Sequence, residues 1–240
     1  GARSFDCIQE TPQVLDAASV FLGREAPAHG ALLALAPVHR HLVRGMERAD
    51  SVTLDLHKWL HVPFEAACVL VRDRKAHREA FALTPEYLER TERGLASGAL
   101  WFSEYGLQLS RGFRALKVWL SIKEHGLDRF GRLIDRNIAQ AHELAALVQA
   151  EPDLELLAPV ATNIVCFRYN PGGLSDGQLN ALNEELLIRL HESGIAAPSY
   201  TTLDGRYCLR AAIVNYRTTS ADLPVLVGAV REIGASLPRP

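Results

Sequence analysis

Ser51-Val52-Thr53-Leu54-Asp55-Leu56-His57-Lys58-Trp59-Leu60 is the stretch that decides how this chain is read. Residues 51–54 are β-prone and follow the charged run Arg48–Asp50, which predicts a short buried strand. His57-Lys58-Trp59 then breaks the strand pattern with a polar pair beside a large aromatic, so Lys58 is presented at the strand's end. A lysine in such a place tends to be desolvated, which disfavours its charged form and frees the amine to attack a carbonyl. Only Lys58, Lys75, Lys117 and Lys123 among the 26 basic residues are lysines, so arginine fills most cationic surface positions. A lysine between His and Trp is then an unusual choice for solubility alone; a plain strand-end lysine is the alternative.

Composition sets the outer bounds. At 240 residues, 48% apolar and 22% charged, the chain has ample core for one large or two small domains. A net charge of -2 gives no electrostatic case for nucleic acid or an anionic membrane surface as partner. The longest apolar runs, such as Gly30 to Pro37, are far too short to span a bilayer. Gly1-Ala2-Arg3-Ser4 leads into polar residues rather than an apolar stretch, so no signal peptide is expected. Cys7, Cys68, Cys166 and Cys208 are scattered, three of them in strand-like contexts, and read as buried free thiols in a reducing compartment.

Along the chain, residues 9–21 are compatible with a short helix, and residues 1–27 do not join smoothly to the rest of the chain. Short apolar runs at 51–55 and 66–72 predict buried strands. Residues 74–83 predict a short helix, ended before Pro85. Residues 86–105, with Gly94 and Gly98 and no clean period, predict a long loop. Helical spacing predicts helices over 113–126 and 127–150, broken at Gly126. Strands at 154–157, 164–169 and 207–214 and helices at 176–193 and 220–235 come next, with Ser220-Ala221-Asp222 as an N-cap candidate. This alternation argues for an α/β domain followed by a smaller α+β domain, the boundary falling inside 127–150. The expected division is 1–27 as an unmatched segment, 28–135 as the C-terminal part of the large domain and 136–240 as the small one.

Several ordered blocks carry a family likeness. They begin with His39-Arg40-His41-Leu42 and Glu47-Arg48-Ala49-Asp50-Ser51, continue through Asp55 to Leu60 with Val62-Pro63, and include Val69-Leu70-Val71-Arg72-Asp73. Pro85-Glu86-Tyr87-Leu88, residues 110–119 (SRGFRALKVW), Leu209-Arg210 and residues 213–219 (IVNYRTT) complete the set. From about Ala28 to Gly234 the chain resembles the C-terminal half of the group II pyridoxal-phosphate amino-acid decarboxylases, which include the aromatic amino-acid, tyrosine, histidine and glutamate enzymes. The resemblance implies fold type I of the pyridoxal-phosphate-dependent transferases, with part of a large α/β domain built on a mainly parallel sheet and a small C-terminal α+β domain. It also implies a cytoplasmic homodimer with its site at the subunit interface, pyridoxal 5'-phosphate as cofactor and a small amino acid as substrate.

By the same resemblance Lys58 holds the cofactor as a Schiff base, His57 contacts its phosphate or steers the linkage, and Asp55 sits near the phosphate. Tyr87, at the start of the long loop, matches the tyrosine that protonates the substrate carbanion after carbon dioxide leaves; relatives with phenylalanine there shift toward oxidative deamination. Arg111, Arg114 and Lys117 are expected on one helix at spacing three, with a structural role. Arg210 lies where acidic-substrate relatives hold a carboxylate. His39-x-His41 invites a metal reading, but no carboxylate or thiol pair completes it, so no metal is expected. The family's first half, with its phosphate-cradling turn, stacking histidine and ring-nitrogen aspartate, is unmatched. The aspartate's equivalent falls at Ala26, beside Glu25, while Asp16-Ala17-Ala18 spells the motif ten residues too early. The expected activity is decarboxylation of an L-amino acid to its amine. The alternatives are an aldehyde synthase or carbon–carbon lyase of the same fold, or a regulatory relative that has lost the cofactor.

Overall fold

The computed structural model describes residues 30–82, 93–94, 97 and 101–238. They divide into two compact units, one formed by residues 30–35 and Arg40–Phe130, the other by Ala36–His39 and residues 131–238.

The first unit opens with three 3-10 turns, Gly30–Leu35, Arg40–Val43 and Met46–Arg48, which bury Ala31, Leu32, Leu33 and Val43. Strand β1 (Ser51–Asp55) then pairs antiparallel with β2 (Ala67–Val71), in a register that sets Ser51 opposite Val71 and Asp55 opposite Ala67. Arg72, just past β2, ties the hairpin back by donating to the carbonyls of Glu47 and Ala49. Helix α1 (Arg74–Phe81) starts where Asp73 Oδ1 accepts the Lys75 and Ala76 amides at 2.8 and 3.0 Å, an N-cap that satisfies two otherwise orphaned donors. Arg78 on α1 grips the buried Glu104 in two bonds of 2.7 and 3.1 Å, so α1 is fixed to the 3-10 turn Phe102–Tyr105. Helix α2 (Arg114–His125) ends at Gly126, whose φ of +72° suits glycine.

Two expectations fail in this unit. The strands were to be buried, yet every position of β1 and β2 is exposed or half-buried. Among the described residues they pair only with each other, and a two-stranded ribbon leaves both faces partly open. They are also antiparallel, because the eleven residues 56–66 fold back as a turn, whereas a parallel pair needs a crossover of a dozen or more residues, usually helical. The mainly parallel sheet is therefore not represented among the described residues. The second failure concerns Arg111, which lies before α2 and donates to the Phe102 carbonyl at 3.0 Å; only Arg114 and Lys117 share the helix. The apolar side of α2 is open as well, with Leu116, Trp119 and Leu120 exposed.

The second unit is an antiparallel sheet in the order β3-β4-β6-β5, formed by Leu154–Leu156, Ile164–Tyr169, Arg206–Ala212 and Ser199–Leu203. Along β4, alternate residues face opposite sides. Val165, Phe167 and Tyr169 join Leu209 and Ala211 of β6 against α3 (Leu127–Ala150), α4 (Asp176–Ser193) and α5 (Asp222–Ser236). Cys166 and, from β6, Cys208 pack with Leu203 on the other side. Cys68, Cys166 and Cys208 are free thiols; the Cys166 contact, with burial, pushes the Cys208 thiol well up, which keeps it unreactive. Arg168, 3% exposed, is held by Glu155 at 2.8 Å and Asp176 at 2.9 Å.

Helix α4 is the best-specified element. Ser175 and Gln178 form a capping box, Gly194 (φ +70°) ends it, and Leu179, Leu182, Leu186 and Leu190 bury one stripe. On that stripe the buried Asn183 bonds both the N–H and the C=O of Tyr169 at 2.8 Å, joining the helix to the end of β4. Helix α5 departs from expectation at its start: Ala221 is the N-cap and offers no side-chain bond, while Ser220 Oγ donates to Glu143 at 2.7 Å. Asp222 accepts from the amide and hydroxyl of Thr219 at 2.8 and 3.0 Å, a local side-chain bond just before the helix.

Gly234 on α5 offers a test of packing against propensity. Alanine in a helix interior is favoured over glycine by about 1 kcal/mol. A Cβ at Gly234, however, would stand 2.6–2.9 Å from the ring of Tyr169, which is only 6% exposed. Overpacking of this kind costs about 1–3 kcal/mol, so Gly234→Ala is expected to lower the denaturation midpoint. A raised midpoint in urea unfolding would show that the ring yields freely.

Candidate active site

The residues 56–66 that join β1 to β2 place the lysine. Lys58 N–H donates to Asp55 at 3.1 Å, His61 N–H to Lys58 at 3.1 Å and Val62 N–H to Leu56 at 3.2 Å, so the chain coils tightly after β1. His61 leaves the coil in the left-handed region (φ +51°), which histidine tolerates better than most side chains. Trp59 (0% exposed), Leu60, Val62 and Ala66 turn inward and anchor the coil. Lys58 turns outward.

Lys58 Nζ lies 2.7 Å from Asp55 Oδ2, the two side chains being 40% and 18% exposed. The lysine is thus ion-paired and well solvated rather than desolvated, and the pair must open before the amine can attack a carbonyl. The expectation failed because β1 is not a buried strand and the neighbour that matters is a carboxylate, not an apolar wall.

His57 is oriented by the strand after it. Its backbone N–H donates to the Ala66 carbonyl at 3.2 Å, and its Nδ1 lies 2.8 Å from the same oxygen. A carbonyl only accepts, so the shorter contact puts the ring proton on Nδ1 and leaves Nε2 as the ring's acceptor. The Ala66 N–H also approaches Nδ1, at 3.3 Å, but cannot bond a nitrogen that is itself donating. Phe64 meets the ring edge-to-face, centroids 5.1 Å apart.

The signal missed in the sequence lies just beyond. Arg114 Nε donates to Glu65 at 2.9 Å, and a second guanidinium nitrogen reaches the same oxygen; Lys117 Nζ donates to the Pro63 carbonyl at 2.8 Å. The bond from Arg114 holds the Glu65 carboxyl below the usual carboxylate range, its charge, Lys117 and His57 pulling the same way. Val62-Pro63 and the basic residues near 114–117 both stood in the family blocks, but nothing in their spacing announced that they meet.

The other expected residues are elsewhere. Tyr87, Ala26, Glu25 and Asp16–Ala18 lie outside the described residues. Arg210 is on β6 of the second unit, 3.4 Å from Ser199 Oγ. His39 bonds Asp135 at 2.6 Å. Among the described residues no group of three or more His, Cys, Asp or Glu is arranged to hold a metal, and no helix is long and apolar enough to cross a membrane.

A two-unit α/β chain with a lysine amine presented beside a carboxylate and an imidazole defines a candidate carbonyl-binding, lysine-based site, and its fold is that of the fold-type-I pyridoxal-phosphate enzymes. The family model described as the pyridoxal-dependent decarboxylase conserved domain matches residues 1–170, taking in residues 1–27 that the motif blocks leave unmatched. The chain belongs to that family. It is 35% identical over 219 residues to an aromatic-L-amino-acid decarboxylase of Bacillus atrophaeus, covering 91% of this chain and 45% of the relative. It is 30% identical over 186 residues to a phenylacetaldehyde synthase of Arabidopsis thaliana, covering 78% and 38%. A crystal structure of Oryza sativa TDC with PLP and tryptamine superposes with a TM-score of 0.79 at 24% identity, covering 87% of this chain and 43% of that one. The chain thus spans less than half the length of each of these proteins.

Proposed function

We propose that this chain carries the lysine-bearing part of a pyridoxal-phosphate-dependent decarboxylase that converts an L-amino acid to its amine and carbon dioxide. The observation that carries the reading is the Lys58 amine, presented 2.7 Å from Asp55 on a coil whose next residue, Trp59, is fully buried. The donor set fits the cofactor: an accessible amine for its aldehyde, a carboxylate to take the proton the amine must lose, and an imidazole with Nε2 outside the Ala66 contact. When bound, pyridoxal phosphate supplies a ring that draws off the electron pair left as carbon dioxide departs.

Lys58 is the point of attachment. Asp55 holds the ammonium in place and would take its proton, after which the pair opens and the neutral amine is free to attack. His57, fixed through Nδ1, offers Nε2 to the phosphate or to the linkage, donating to the phosphate when protonated. Tyr87 would deliver a proton to the substrate's α-carbon, the role its match to the family implies. We place this chemistry in a cytoplasmic homodimer, with residues 28–135 in the cofactor-binding domain and 136–240 in the small domain.

A second reading is favoured by the likeness to the phenylacetaldehyde synthase. Such a reaction consumes dioxygen and water, and it releases aldehyde, ammonia, carbon dioxide and hydrogen peroxide in place of an amine. Tyr87, rather than the phenylalanine of that reaction class, is what supports the amine. The test is to add pyridoxal phosphate to the purified chain, record the visible band of the bound cofactor, then supply L-amino acids in turn and analyse the products. Amine and carbon dioxide without oxygen uptake are expected. Aldehyde and peroxide as main products would replace the first reading with the second, and no visible band would remove both.

A further inference from the structure

Two basic residues of α2, one helical turn apart, reach the same three-residue segment. Arg114 takes the side chain of Glu65, and Lys117 takes the backbone carbonyl of Pro63. The next residue is Ala66, whose carbonyl receives both the backbone N–H and the Nδ1 of His57, the residue before Lys58. Phe64, between the two gripped positions, packs edge-on against the His57 ring. Glu65 is 55% exposed and Phe64 83% exposed, so little apolar burial holds this segment. Its geometry is set by the polar contacts instead.

We infer that Arg114 and Lys117 are positioning residues: by clamping residues 63–65 to α2 they hold the Ala66 carbonyl against His57 and so fix which imidazole nitrogen is offered to the site. The charges agree with this assignment. Glu65 carries a negative charge near His57, and the same two basic side chains neutralise it, so the imidazole is oriented by a carbonyl rather than by a free carboxylate. Releasing the clamp frees both. The segment can then leave Nδ1, and the ring reverts to the Nε2–H tautomer that an unrestrained neutral imidazole favours. The inference rests on the proposed function for what the site binds, but the clamp itself concerns only residues 57–66 and α2.

The test uses the full chain with 15N-labelled histidine, the His57 signals being assigned by their loss in His57→Gln. Wild type is expected to show His57 as the Nδ1–H tautomer. Arg114→Ala and Lys117→Met, each alone, should shift it toward Nε2–H and weaken pyridoxal-phosphate binding, read by titrating the visible band, by about tenfold, the order expected when a charge-assisted bond is lost. Arg114→Lys, which keeps one charged donor for Glu65, should recover most of both effects. Two single variants are needed because each grips a different residue, so misfolding of one leaves the other informative. An unchanged His57 tautomer in both variants overturns the clamp even where wild type binds the cofactor. A shifted tautomer with no visible band in wild type supports the clamp and removes the reading of the site.

Discussion

Lys58→Ala is expected to abolish the visible band of bound pyridoxal phosphate and to lower decarboxylation by a thousandfold or more, about 4 kcal/mol of barrier. No other residue of the coil carries a primary amine that could take its place: His57 and His61 offer only imidazole nitrogens, and Trp59 is buried. Lys58→Arg separates two roles that Ala removes together. Arginine keeps the positive charge beside Asp55, but its guanidinium stays protonated and is no nucleophile, so the ion pair survives and the band does not. Asp55→Asn makes the complementary change, leaving the amine and removing the carboxylate proposed to receive its proton. Its expected effect is smaller, roughly ten- to a hundredfold, as for the loss of one charge-assisted contact. Borohydride reduction followed by peptide mapping reads the outcome directly. Label on Lys75, Lys117 or Lys123 in place of Lys58 would sink the assignment.

The order of elements was legible where hydrophobic period and end signals agree. α4, read as 176–193, has those bounds, because its capping box, its leucine stripe and Gly194 all point to the same ends. α3 and β4 were equally plain, α3 by its helical apolar period and β4 by a short continuous apolar run. β5 was not read at all: Ser-Tyr-Thr-Thr-Leu is an edge strand with largely exposed side chains, so it carries no apolar alternation to detect. The Ser220 cap failed for a different reason: its hydroxyl is taken by Glu143, 77 residues away, a partner that local pattern does not show.

At the site, the residue types were legible and their environment was not. His57, Lys58 and Asp55 stand together because they are neighbours in sequence, while the roles expected of His57 and Asp55 came from the family likeness rather than from spacing. The solvation of Lys58 depends on how many strands flank β1, and the orientation of His57 depends on Ala66, nine residues away, and on α2 beyond it. Those are long-range facts that local pattern does not encode. Arg114 and Lys117 were expected, with Arg111, on one helix with a structural role; that the two helical residues close on residues 63–65 is a property of the fold.

Trp59→Ala should produce the largest loss of stability in this part of the molecule, about 3–5 kcal/mol. Trp59 is the largest fully buried side chain among the described residues and the neighbour of the lysine, so one residue of the coil faces the interior while the next one back faces the solvent. The backbone bonds from Lys58, His61 and Val62 that close the coil are short-range and partly accessible, worth about 1 kcal/mol each at best. The indole is therefore what keeps the coil seated. Lys58→Ala breaks only a partly exposed ion pair, worth about 1 kcal/mol or less, so it should leave the denaturation midpoint nearly unchanged while removing the site. Trp59→Ala should do the reverse first, lowering the midpoint steeply, with the cofactor band weakened because Lys58 no longer has a fixed base. Trp59→Phe, which keeps most of the buried area, should fall between wild type and alanine in both measurements. A Trp59→Ala chain with an unchanged urea midpoint would mean that Leu60, Val62 and Ala66 seat the coil without it, and that the lysine owes its position to β1 and β2 alone.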